Sequence, residues 1–162
     1  MYPVDILAIT CLFLALLALV WMGWIDLKLW ILPNELVALL ALTALLFHFA
    51  TDWFFGGWMF FVLGAMMGGG ALLAIRSLAN KFYGFETLGL GDVKLLAAAG
   101  LWLGPENILM ALSIGAFCGV GHAVVIAITE KKSLNRMMLP AGPGFIAGIL
   151  ITTIMMMKDY YL

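Results

Sequence analysis

Long apolar runs that do not alternate with polar residues set the pattern of this chain. "ILAITCLFLALLALVW" at 6–21 is typical of them. Strands of a membrane β-barrel would alternate polar and apolar positions in short segments. Runs of this kind predict membrane-spanning α-helices, each needing roughly 20 residues. Six are predicted, at about 3–25, 34–51, 57–78, 92–104, 105–129 and 140–158. "DWFFGG" separates the second from the third, and "LGPEN" the fourth from the fifth. Pro33, Pro105 and Pro143 fall at or near predicted helix starts, where proline is tolerated. The expected fold is all-α, a polytopic membrane protein forming a single domain over 1–162.

Composition reinforces the pattern. The chain is 65% hydrophobic and 10% charged, where soluble domains carry about 25% charged residues. The first run follows "MYPVD", without a basic n-region or a cleavage site, and is read as a retained helix rather than a secretory signal. Seven of the eight Lys and Arg (Lys28, Arg76, Lys81, Lys94, Lys131, Lys132 and Arg136) fall on one predicted side, with Lys158 opposite. Basic loops face the cytoplasm, so both termini are expected outside. The basic stretch "EKKSLNR" is explained by this topology and implies no nucleic acid.

The fourth predicted helix is short. It would rise about 18–20 Å, against roughly 30 Å of hydrocarbon. The preceding "FYGFETLGLG" is therefore expected to enter the membrane as irregular backbone, which is tolerated only beside protein or a water-filled cavity. Gly84, Gly89 and Gly91 suit such backbone, by accepting positive φ or letting another chain approach. Asp92 then lies at membrane depth, where an ionisable residue marks a candidate site. Asp26 falls on the same predicted side. Two aspartates sharing one proton supply a general base for water and an acid for a carbonyl oxygen, the logic of an aspartic protease. The residues alone leave open a helix cap at Asp92 and an interfacial carboxylate at Asp26.

"GLGD" at 89–92, continuing "VKLLAAAGLWLG", resembles the GxGD signature of type IV prepilin peptidases and their archaeal preflagellin relatives. "IDLKLWILPNEL" at 25–36 resembles the family's first-aspartate segment, with Pro33 and Asn34 following Asp26. "LPAGPGFIAG" at 139–148 resembles the stretch that begins its last helix, and contains Gly142 and Pro143. The resemblance implies a membrane aspartic endopeptidase with Asp26 and Asp92 as catalytic pair, supported by Gly89, Gly91, Lys94, Pro33, Asn34, Gly142 and Pro143. It implies pilin-like precursors with short basic leaders as partners, cut after a glycine on the cytoplasmic side, and a location in the inner membrane. It implies no metal and no organic cofactor. Larger members carry an insert with paired CxxC cysteines, associated with N-methylation. Here about eight residues separate the first predicted helix from "LPNEL" and no CxxC occurs, so the chain is similar to the short, peptidase-only branch. Two other readings stay open: a small ion- or proton-coupled transporter or assembly subunit, and a presenilin-like protease, of whose Pro-Ala-Leu motif "PAGPG" is a faint echo.

Several other features are read as structural. Lys94 is expected to reach the interface or to pair with Glu86 or an anionic membrane lipid. Gly64 and Gly68, Gly115 and Gly119, and Gly144 and Gly148 have the spacing of close helix packing. Cys11, Cys118, His48 and His122 lie in apolar runs without metal-site spacing. Trp21, Trp24, Trp30, Trp53, Trp58 and Trp102 are expected mostly in interfacial belts.

Overall fold

A computed structural model describes residues 3–52, 57–86, 88–130 and 140–161. Trp53, Lys131, Lys132 and Arg136, and the expectations placed on them, lie outside the described residues. Among the described residues there are five helices: α1 Pro3–Leu29, α2 Asn34–Ala50, α3 Trp58–Tyr83, α4 Leu90–Glu130 and α5 Gly142–Tyr161. Three stretches among the described residues are long and apolar enough to cross a bilayer: Ile6–Leu29, Trp58–Tyr83 and Leu90–Thr129. Phe13, Trp21, Phe49 and Phe117 are 61–79% exposed, and a surface this apolar suits hydrocarbon better than water.

The expected fourth and fifth helices form one element, α4, broken in conformation at Gly104 (φ 74, ψ 178). The break folds α4 back on itself. A Cβ on Gly68 of α3 would lie 2.5 Å from the Leu96 carbonyl oxygen and 2.7 Å from Ile108 Cγ1. Residues twelve apart on a straight helix are separated by about 18 Å, so only a hairpin lets one glycine touch both. Gly64 packs against Gly100 and Gly104, which share one face of the first arm's end. The first arm of α4, residues 90–103, packs on α2 and α3, while the second meets α5 through Gly115, Gly144 and Gly148. α1 closes the bundle against α2 and α5. The glycine pairs are thus used for close approach inside the molecule.

The hairpin leaves carbonyls at the end of its first arm without helical partners, and Pro105 has no N–H to offer Leu101. Side chains fill in. Asn107 Nδ2 donates to the Leu103 carbonyl at 3.0 Å. His48 Nε2 lies 3.0 Å from the Leu101 carbonyl, which can only accept, so Nε2 carries the proton there. His48 is 1% exposed and stacks on Phe61 at 3.6 Å between ring centroids. His48→Leu is expected to cost roughly 1–3 kcal/mol by leaving that carbonyl dry and unsatisfied. Thermal unfolding in detergent checks this, and an unchanged midpoint would contradict it. Trp102 departs from the interfacial expectation: it is buried and donates Nε1–H to the Leu40 carbonyl at 2.9 Å, tying α4 to α2. Trp21, Trp24, Trp30 and Trp58 are exposed.

Two boundaries also differ from expectation. α1 runs on past Asp26 and Lys28 to Leu29, leaving only residues 30–33 before α2. α3 continues through Phe82 and Tyr83, so the irregular backbone before α4 begins at Gly84, whose positive φ (75) ends α3.

Candidate functional site

Both candidate carboxylates lie at one end of the bundle, on different helices, and line a single polar pocket of about 280 Å³. That volume has room for several waters at roughly 30 Å³ each. Asp26 stands near the end of α1 and is 5% exposed; Asp92 stands in the first turn of α4 and is 7% exposed. A buried carboxylate needs partners or a proton, and the surroundings supply few partners. The Gly142 amide faces Asp26, and a Cβ on Gly142 would sit 2.5 Å from its Oδ2. That same Oδ2 is buried without a hydrogen-bond partner among the described residues. The Gly89 amide faces Asp92, and a Cβ there would sit 3.2 Å from Oδ2. Each acid is therefore backed by a glycine at the start of a helix, α4 or α5, where side-chain bulk is missing and main-chain dipoles point inward.

The two spaced glycines before Asp92 do different work. Neither has positive φ, which in this loop belongs to Gly84. Gly91 admits the α1–α2 connection: a Cβ on it would come 3.1 Å from Leu32 Cβ. Gly89 leaves room for the Asp92 carboxylate. Pro33 is the N-cap of α2, and its carbonyl accepts from Val37 N–H at 3.2 Å. Pro143 lies in the first turn of α5, directly after Gly142. Both shape helix starts beside the pocket without lining it.

Lys94 and Asn34 do line it. Lys94 Nζ donates to Asn34 Oδ1 at 2.9 Å, a bridge from α4 to α2 at the exposed side of the pocket. Of the alternatives expected for Lys94, the pairing with Glu86 does not form. Glu86 pairs instead with Arg76, at 2.9 Å.

Sequence reasoning assigned Arg76 to topology and Trp30 to the interface, yet Trp30 lines this pocket and Arg76 holds the loop that leads into it. Arg76, on α3, donates Nε–H to the Leu88 carbonyl at 2.7 Å, so it grips the loop one residue before Gly89. Its side chain is 13% exposed, against 83% for Glu86; the carbonyl contact is the sheltered one. Trp30 lines the pocket and ends α1 with φ 59, its N–H bonded to the Asp26 carbonyl at 3.0 Å. A bulky residue with left-handed backbone is costly, about 1–2 kcal/mol, and such strain gathers at functional sites. No motif marks either residue; an arginine at the end of an apolar helix is the one signal that pointed inward.

Fold and site together define a helical protein of membrane-spanning composition with two carboxylates recessed in one polar pocket. Its sequence matches the model of the type IV leader peptidase family over residues 12–124, and the chain belongs to that family. The prepilin leader peptidase/N-methyltransferase of Aeromonas hydrophila is 37% identical over 141 residues, covering 80% of this chain and 45% of that protein. The protein of that name from Escherichia coli K12 is 34% identical over 90 residues, 56% of this chain and 39% of its own. That from Pectobacterium carotovorum is 33% identical over 124 residues, 76% and 43%. The chain thus spans less than half the length of these curated relatives. No solved structure matches it.

Proposed function

We propose that the chain is a membrane aspartic endopeptidase that removes the short basic leader of pilin-like precursors, with Asp26 and Asp92 as its catalytic pair. The observation that carries this reading is the shared polar pocket of two buried carboxylates, one from α1 and one from α4. With one proton between them, the ionised aspartate takes a proton from water as the water oxygen attacks the scissile carbonyl carbon. The protonated partner gives its proton to the carbonyl oxygen. On collapse of the resulting diol the C–N bond breaks and the amine nitrogen takes the proton first removed from water. A diol hydroxyl returns a proton to the second aspartate, and the pair is restored.

The topology we favour has six spans, with both termini outside and the pocket at the cytoplasmic face of the inner membrane. The fold-back at Gly104 supports it, by turning one element of about 60 Å into two crossings. Lys28, Arg76, Lys81 and Lys94 support it by clustering at the ends of α1 and α3 and the start of α4. The peptidase is proposed to act without the methyltransferase activity that its relatives' names carry. The short α1–α2 connection of residues 30–33 supports this, as do Cys11 and Cys118, which lie within helices and form no CxxC pair.

The test is to incubate the protein in lipid vesicles with a precursor bearing a basic leader and a hydrophobic helix, and to read the product by mass spectrometry. A single cut after a glycine at the leader's end is expected; an uncut precursor overturns the reading. Arg76 gives a second expected result in the same assay. Arg76→Leu should lower kcat about tenfold or more with KM little changed, because the loop carrying Asp92 loses its grip on α3. Arg76→Lys should recover part of the loss, and Glu86→Gln should stay near wild type. Equal losses for Arg76→Leu and Glu86→Gln would assign the effect to the ion pair instead.

A further inference from the structure

A second cavity, of about 460 Å³ and apolar, opens between α3, the second arm of α4 and the start of α5. Its size lies in the range of about 300–1,000 Å³ usual for sites that enclose ligands. Leu72 and Ile75 form one wall, Phe145 another, and Gly115, Ala116 and Gly119 the floor. Among the described residues α3 and α5 do not approach each other closely, so the cavity is a cleft rather than a packing defect. Ala116, Ile75 and Val120 are exposed along it.

Its position is the informative feature. Two more of its wall residues are Leu88 and Ala141. Leu88 immediately precedes Gly89, which faces the Asp92 carboxylate, and Ala141 immediately precedes Gly142, which faces Asp26. One residue advances the chain by about 3.8 Å. The apolar cleft is therefore lined by two residues that stand one position from the glycines backing the two acids. That nearness puts the cleft within reach of a segment cut at the pocket and continuing as an apolar helix. The floor suits such an occupant, because small residues let helix backbones come close. Gly119 in particular has open space where a Cβ would project.

We propose that this cleft is the docking site for the hydrophobic helix of the pilin-like precursor, seating the residues that follow the scissile bond. The proposal rests on the peptidase reading above for the identity of its occupant. It assigns α5 and the second arm of α4 to substrate binding, while α1 and the first arm of α4 supply the acids.

The experiment uses two readouts on the full chain in lipid vesicles. First, Gly119→Leu fills the cleft without meeting any neighbour at Cβ. It should raise KM at least about tenfold for a precursor carrying its hydrophobic helix. A soluble peptide truncated a few residues past the cut should be cleaved as by wild type. Second, a photo-crosslinking residue at Val120, in the Asp92→Asn background, should capture the precursor's apolar helix. The same probe at Phe117, which is 79% exposed and outside the cleft, should not. Capture at Phe117 alone, or of lipid or a second copy of the chain at Val120, overturns the docking site. So does an unchanged KM for Gly119→Leu. Crosslinking requires no cleavage, so the two ideas fail separately: capture without any cutting by wild type overturns the peptidase and keeps the cleft, whereas cutting without capture does the reverse.

Discussion

Asparagine in place of either Asp26 or Asp92 should lower kcat for precursor cleavage by about 10³-fold or more while leaving the protein folded. Asparagine keeps the size of aspartate but can neither accept water's proton nor cycle one to a carbonyl oxygen, and general acid–base catalysis is worth about 10²–10⁴. The two losses should not multiply. Each removes a member of one unit, so the double variant should fall little below either single one. Stability should move the other way or not at all. Asp26 and Asp92 are 5% and 7% exposed, and Asp26 Oδ2 lacks a hydrogen-bond partner among the described residues. Buried acids without full partners are retained against their desolvation cost, so their removal relieves a strain associated with function. Single-turnover cleavage and thermal unfolding on the same preparations check both halves. A variant keeping more than about a tenth of wild-type kcat would remove that residue from the catalytic pair.

How much of this was legible before the structure depends on the range of the force involved. The apolar runs predicted the helices because membrane burial acts on whole segments, and α2 begins at Asn34 as expected. The placing of Asp26 and Asp92 at one end of the bundle was legible through loop charge and resemblance, though not how near they lie. Both cues concern which end of a helix a residue occupies, and the shared pocket agrees with them. Contacts decided by three-dimensional packing were not legible. Nothing in "FHF" announces that His48 will serve the carbonyl left over by Pro105, fifty-odd residues later in the chain. The end of α1 was placed too early because Asp26 and Lys28 read as interfacial, yet the helix carries both onward to Leu29. Lys94 was expected at the interface or paired with Glu86 or an anionic lipid, whereas the fold brings it to Asn34, sixty residues earlier in the chain. Trp102 was placed by its closeness to a predicted span end; the hairpin instead turned it inward onto Leu40.

Gly104→Ala should destabilise the protein by about 3 kcal/mol or more and abolish cleavage with it. Backbone at φ 74 and ψ 178 belongs to a region that is essentially glycine-only, costing of order 1–3 kcal/mol for other residues. A Cβ there would also run into the Phe60 ring, adding overpacking of typically 1–3 kcal/mol. The two costs can be separated. Phe60→Ala should return the overpacking part to a Gly104→Ala background but none of the backbone part, so rescue should be incomplete. Pro105→Ala should matter far less, since its ring occupies a helix start where an N–H has no helical partner. The consequence for the site is geometric. Residues 90–103 rise only about 21 Å before the break, so the length of this arm sets the distance between Asp92 and the turn at Gly104. The return arm meanwhile supplies the floor of the apolar cleft that Leu88 lines. A chain that relaxed toward a straight α4 would lose the shared contact of Gly68 with Leu96 and Ile108 that holds both arms on α3. Asp92 would then be separated from Asp26 without any change at either residue. Unfolding midpoints for the four proteins, read against cleavage, test this order of effects. A wild-type midpoint for Gly104→Ala would mean that α4 does not turn at Gly104.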